Sequence, residues 1–451
     1  MKEKMTVNNL KTKKSTKKMK VVAIAAVIIA AAAITGGTAA FLILKPPEEA
    51  VTLRFWHSYG ATELEKAETL IEEWDENQTN IEVEMEYVPY DLLFQKMVTL
   101  LAAGEVPCDL ARYDIALTPG LAEMGVLTNL SDLTEAAEIS KDDFYPGPWE
   151  TCVWEDGLYG LPLDTTTRIL FYRKDLFEVE GVSVPTTWAE IKSVASQLTK
   201  DLDVDGVTDQ WGFFYEGYDT WHFNSFLWQA GGSELSSDMK TSTVNRSEGV
   251  NALQFLLDLI YVDEVNPPPE KWKWPIEAIS TGETAMGLCG PWGWACCRDI
   301  FGLDVEAKLG MAILPGGPAG EASVIGGQNL VMPKFTEHSE EAFELAKYLT
   351  SYYYQSAMME VDQFPTLKAA SQANIIAGNP LWATVAEQME TAKSRVIHPK
   401  YAEINDIIHK YLEEAFAQVK TAKEALDAAM AEINKLLKEE QFTQITLKLT
   451  I

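Results

Sequence analysis

Apolar positions along this chain recur with two periods that take turns. Residues 51–56 alternate as a strand, Leu64, Ala67, Leu70, Ile71 and Trp74 then return at helical spacing, and residues 81–88 alternate again. A strand, helix, strand order implies a right-handed crossover and a parallel sheet with helices on its faces. Residues 92–103 are a further apolar helix, stopped by Gly104, and Pro107-Cys108-Asp109-Leu110 begins a short strand whose exit is Arg112-Tyr113-Asp114. The pattern goes on with a strand over 210–215, helices over 221–230 and 246–262, a buried strand over 284–289, a strand over 309–314 and a helix over 338–355. Ile404, Ile407, Ile408, Tyr411, Leu412, Ala415, Phe416 and Val419 form a helical stripe. The capping box Thr421-Ala-Lys-Glu424 opens a last helix to about Leu437. Ligands of such sheets bind in loops at the carboxyl ends of strands, which makes His57, Ser58 and Tyr59 the first candidate position.

Composition narrows the class. The 451 residues, 47% of them hydrophobic, suffice for two or three globular domains. The net charge is −30 although the first 20 residues hold eight lysines against one glutamate, so the remainder repels nucleic acid and anionic membrane faces. Residues 21–44 are an uncharged run closed by Lys45, long enough to span a bilayer as a helix. Lysines before it and Glu48 and Glu49 after it place the N-terminus in the cytoplasm and the bulk of the chain outside, anchored to the membrane. A cleaved signal peptide, and hence secretion, is the competing reading, since 21–33 has the length of an h-region and Thr38-Ala39-Ala40 is small. Five cysteines outside the cell permit one or two disulfides, and their spacing matches no zinc site.

Two stretches carry chemistry of their own. Gly290-Pro291 ends the buried strand, because proline removes a donor and glycine permits a sharp turn, and Trp292 and Trp294 follow with only Gly293 between them. Such faces, each burying about 150–250 Å², suit the apolar patches of a sugar ring, and equally suit a core. Asp201, Asp203, Asp205 and Asp209 stand at positions 1, 3, 5 and 9 of a loop with Gly206 at 6 and the Val207 carbonyl at 7, the spacing of an EF-hand-type calcium site. Position 12 is Gly212 instead of glutamate, and a solvated acidic turn is the alternative.

The stretch from Thr281-Gly-Glu-Thr-Ala-Met286 to Gly290-Pro-Trp292 resembles the Gly-x-Thr-Ala-Met…Gly-Pro-Trp block of the extracellular solute-binding proteins of carbohydrate ABC importers, the maltose-binding type. Five further blocks follow the family's order. These are Asp109 to Asp114 with Gly125-Val-Leu127, Tyr159-Gly-Leu-Pro162 with Tyr172-Arg-Lys-Asp175-Leu, Pro185-x-Thr187-Trp-x-Glu190, the aromatic segment ending in Gly231-Gly232, and Ile325-Gly-Gly-Gln328 with Phe364-Pro-Thr366. Arg173 stands where asparagine is usual. The resemblance covers about 51–437.

It implies an α/β, two-lobed periplasmic-binding-protein (Venus flytrap) fold with discontinuous lobes, preceded by the N-terminal hydrophobic helix. Lobe 1 is expected over 51–163 and 312–364, lobe 2 over 164–311 and 365–438, and a tail over 439–451. The implied function is capture of a malto-oligosaccharide or similar sugar for an ABC permease, without catalysis. By the same resemblance Trp292 and Trp221 stack on the sugar, and Tyr113, Asp114, His57, Tyr59, Asp164, Thr165, Thr166, Gln328 and Tyr401 line the cleft. Asp114 is also placed to cap the helix that follows. A structural Ca2+ at Asp201, Asp203, Asp205, Val207 and Asp209 fits the loops that many members carry there. A binder of another solute, peptide or polyol, and a glycoside hydrolase are the alternatives, the latter weakened because the family blocks hold no reacting group.

Overall fold

A computed structural model describes residues 50–372 and 378–450. The basic leader and the run 21–44 lie outside the described residues, and among the described residues no helix is long and apolar enough to cross a membrane.

The first alternating segment forms β1 (Val51–His57), followed by α1 (Ala61–Asn77), β2 (Ile81–Tyr87), α2 (Tyr90–Ala102) and β3 (Leu110–Asp114). Both β2 and β3 lie parallel to β1, as the crossover pattern requires. Next come β4 (Leu161–Thr167) and β5 (Ile169–Arg173), then α3 (Trp188–Leu198), α4 (Thr220–Gln229) and α5 (Ser247–Tyr261). The chain continues through β6 (Met286–Cys289), α6 (Trp292–Phe301), β7 (Leu309–Ala312), β8 (Ser323–Val331), α7 (Ser339–Leu349), α8 (Tyr352–Met358) and β9 (Phe364–Pro365). It closes with α9 (Pro380–Met389), β10 (Ala392–Ser394), α10 (Tyr401–Phe416) and α11 (Ala422–Thr450).

Two sheets result. The larger has the order β9-β4-β8-β3-β1-β2, with β10 beside the start of β8, and the smaller is β6-β5-β7, antiparallel throughout. On one face of the larger sheet Leu53, Phe55 and Leu110 pack on α1 and α7, and on the other Trp56 and Tyr113 pack on Leu93, Met97 and Leu101 of α2. The remaining large core joins α3, α4 and α5 to α10 and α11. Arg168 alone separates β4 in one sheet from β5 in the other, residues 313–322 return the chain to the larger sheet, and the chain leaves it once more after β9.

Several sequence expectations shift. Residues 210–215 make isolated bridges at Gln210, Trp211 and Phe214 in place of a strand. There Gly212 packs so closely on α3 that a Cβ would lie 2.0 Å from the Ala195 carbonyl oxygen. The strand expected over 309–314 ends at Ala312 and pairs with β5, so it stays in the smaller sheet. The helix expected over 338–355 breaks in two, with Ser351 capping α8 through the Tyr354 amide, and α11 runs past Leu437 to Thr450. All five cysteines are free thiols, four of them buried, in place of the one or two disulfides their number permits.

Candidate functional site

The two sheets meet at a ribbon in which β4 and β8 run antiparallel, pairing Gln328 with Asp164, Gly327 with Thr165 and Gly326 with Thr166. The register slips between Gln328 and Asn329, a bulge that bends the ribbon. Two glycines make this possible. Gly327 holds φ +126°, and a Cβ on Gly326 would lie 2.6 Å from the Trp221 ring.

Trp221 rises from the first turn of α4, which Asp219 caps by accepting the His222 amide. Trp292 opens α6, its ring folded back over Gly290, where a Cβ would come within 1.9 Å. The two indoles face each other with centroids 6.0 Å apart and planes at 29°. Trp294, by contrast, is buried with Ile276 and Trp382 in a core. The aromatic pair expected from the sequence is therefore built by Trp292 with Trp221.

From the larger sheet come two arginine–carboxylate pairs. Arg112 Nε donates to Asp164 Oδ2 at 3.1 Å, while its other nitrogens reach Ser58 Oγ at 3.4 Å and Gln363 Oε1 at 3.3 Å. Its guanidinium lies 4.4 Å from the Tyr59 ring centroid. Arg395 Nη2 donates to both oxygens of Asp114, at 3.0 and 3.1 Å, and Nη1 to Tyr401 Oη at 3.2 Å. The same guanidinium stands 5.8 Å from the Trp221 ring, a cation–π contact. Tyr401 Oη also meets Thr220 Oγ1 at 2.7 Å, so one polar chain runs from Asp114 in β3 to α4 and α10. Asp114 further accepts the Ala116 amide, an Asx-type turn, and the Tyr90 hydroxyl; it does not cap the helix that follows, which starts at Thr118 with Leu117 at its N-cap and no side-chain cap. At the ribbon's rim Arg298 of α6 pairs with Asp362, just before β9, at 3.0 Å.

Two site assignments are corrected by strand alternation. Tyr113 lies between Arg112 and Asp114, so its side chain points to the opposite face, where it is fully buried beside Phe94. Thr165 is likewise turned from Asp164 and Thr166, and its hydroxyl donates to the Gly326 carbonyl. His57 ends β1 and does not lie in the loop, 1% exposed, and Tyr59 is buried with its hydroxyl on Tyr354. Both back the wall and do not form its surface. Gln328 and Thr166 remain partly accessible on the ribbon.

Residues outside the expected set complete the site. Arg168, 1% exposed, donates to the Leu288 carbonyl at 3.1 Å and stands 3.8 Å from Glu216, while among the described residues its Nε and Nη1 have no hydrogen-bond partner. Glu216 and Asp219 both contact His222. Burial and Arg168 pull the His222 pKa down, but Asp219 and Glu216 outweigh them and raise it. Burial lifts Asp164 to about 6 against the pull of Arg112.

Burial, helped by Arg112, lowers His57 to about 4. The unfolded chain takes this proton near pH 6.5 and the folded one only near 4, so the folded state loses stability as pH falls between them. His57 contributes at most about 1.4 kcal/mol per pH unit to this loss, and Asp164, lifted by burial, acts with the opposite sign below pH 6, so the contribution is read as the difference between wild type and His57→Gln in denaturant titrations. His57→Gln should remove it, and an unchanged slope would mean that His57 is charged in the fold.

The acidic loop folds around a point. Carboxylate oxygens of Asp201, Asp203 and Asp209 lie within 4.8 Å of one another, all exposed. Asp201 also accepts the amides of Asp205 and Gly206, Asp205 that of Val207, and Asp209 that of Leu202. Gly206 takes φ +91° at the turn.

A family profile described as bacterial extracellular solute-binding protein matches residues 60–355. The arabinooligosaccharide-binding protein of Bacillus subtilis is 24% identical over 407 residues, 85% of this chain and 92% of that one. Among solved structures, the GacH receptor of Streptomyces glaucescens, studied unliganded and with acarbose, superposes with a TM-score of 0.79 at 24% identity, covering 87% of this chain and 99% of that one. Maltose-bound MalE3 of T. maritima gives 0.75 at 27%, covering 86% and 100%. The two-lobed α/β fold is common to both.

Proposed function

Because this chain belongs to the bacterial extracellular solute-binding protein family, we propose that it captures an oligosaccharide, of malto- or arabino-type, between its two sheets and hands it to an ABC permease. The observation that carries this reading is the Trp221–Trp292 pair standing over a ribbon whose charges are already matched, Arg112 with Asp164 and Arg395 with Asp114. Flat apolar faces hold a sugar ring, and neutralised polar groups around them favour an uncharged, hydroxyl-rich ligand. Each aspartate is tied to an arginine, and the family is one of solute-binding proteins, which disfavours hydrolysis. The function places the chain outside the cytoplasm, and the expected helix at 21–44 is its proposed anchor to the membrane. Calorimetric titration of the full chain with maltose, maltotriose and arabino-oligosaccharides tests the reading: stoichiometric binding without turnover supports it, and cleavage of the sugar would replace it with the hydrolase.

We further propose a structural calcium ion at the converging carboxylates of Asp201, Asp203 and Asp209, with Asp205 and the Val207 carbonyl as the ligands that the sequence spacing adds. The ion would supply charge that offsets the repulsion between exposed carboxylates. At a hundredfold excess over Kd it should add about 2.7 kcal/mol to stability. Asp203→Asn should abolish the calcium-dependent rise in Tm, and a Tm indifferent to calcium and to chelator would leave a solvated turn.

A further inference from the structure

We propose that Tyr87 and Tyr90 form an outer platform for the distal ring of an oligosaccharide whose inner unit rests on Trp221 and Trp292. The inference rests on the receptor reading above and extends it to ligand length. It starts from topology. Strands β3, β1 and β2 are neighbours and parallel, so their carboxyl ends leave the sheet at one edge. Asp114 ends β3, His57 ends β1, and Tyr87, in register with His57, ends β2. At about 4.8 Å per strand, Tyr87 lies roughly 10 Å outward from the strand that carries Asp114.

What stands at that outer position is unusual for a sheet edge. Tyr87 is 57% exposed and Tyr90 49%, although both rings are held from within. The Tyr87 ring meets that of buried His57 with centroids 5.9 Å apart at 61°, and the Tyr90 hydroxyl donates to the Asp114 carboxylate that Arg395 also grips. Each ring is thus fixed by a residue of the inner site and leaves surface to solvent. A fixed aromatic face loses little conformational freedom on binding and offers apolar contact with a hydroxyl at its tip, which suits a pyranose or furanose ring. Continuity with the inner site argues for the ligand's own far end as occupant over a protein partner, because Tyr90 is tied through Asp114 to Arg395 beside Trp221, and Tyr87 rests on His57 behind the same wall.

The test is titration of the full chain, wild type, Tyr87→Ala and Tyr87→Phe, with maltose and arabino-oligosaccharides of two, three and four units. Tyr87→Ala should weaken the longer sugars about tenfold and leave the disaccharide within twofold, and Tyr87→Phe should bind all lengths like wild type. An equal loss at every length would make Tyr87 a support of the fold, and unchanged affinity at every length would overturn the platform while leaving the receptor intact. If the wild type binds no sugar of any length, the receptor reading fails and the platform with it. Unchanged affinity together with lost stimulation of the permease ATPase would make the rim a docking surface instead.

Discussion

Trp292→Ala is expected to weaken sugar binding by about 30- to 800-fold while leaving the fold intact. The ring is only partly buried, faces Trp221 and lies over Gly290 at the margin of the core that holds Trp294, so its removal opens the platform at a smaller cost to that core than loss of Trp294. Losing one aromatic face costs about 2–4 kcal/mol of binding at the upper end of area estimates, and each 1.4 kcal/mol is a factor of ten. Trp294→Ala is the contrast: that ring is 7% exposed among Ile276, Cys297 and Trp382. Its loss should cost about 3–5 kcal/mol of stability and change affinity little in the protein that remains folded. Calorimetry for affinity and urea unfolding for stability separate the two. Equal losses of affinity would show that Trp292 carries no privileged contact.

Arg395→Leu should destabilise the protein by about 3–5 kcal/mol, the range for removing one partner of a buried pair. Asp114, 5% exposed, would keep only the Tyr90 hydroxyl and the Ala116 amide, and Trp221 would lose the cation beside it. Adding Asp114→Asn should recover a substantial part, because the stranded charge is then gone. The double-mutant cycle therefore predicts coupling of the order of 1–3 kcal/mol, and additive losses would mean that the pair is not formed in solution.

Much of the fold was legible because burial writes itself into period. The alternation of 51–56 and 81–88 and the helical spacing between them gave the parallel β1-α1-β2 unit, and Thr187 with Glu190 marked the start of α3. The cleft was legible where a residue's chemistry is unusual in itself, as with Trp292 and the paired glycines at 326 and 327. It was less so where the role depends on a distant partner. Arg112 and Arg395 became visible as site residues only when the fold placed them on Asp164 and Asp114, 52 and 281 residues away. Tyr113 is buried on the far face of β3 by the alternation that a strand imposes. Two consecutive strand residues cannot face one cleft, and accepting Asp114 already implied Arg112 as its companion. The segment 210–215 failed differently, since Gly212 is fixed by contact with α3 and not by a ladder, which no local pattern records.

The larger sheet has its middle strand late in the chain. β8 sits between β3 and β4, yet Ser323 follows Asp114 by 209 residues, counted as 323 less 114. At the usual ~5–20 residues per second of synthesis, the open edge of β3 waits roughly 10 to 40 s for the strand that joins it to β4, and the edge of β4 roughly 8 to 30 s. Through that interval two rows of backbone donors and acceptors stand open to other chains. A ribosome stalled before residue 323 thus releases an adhesive half-sheet and no working lobe.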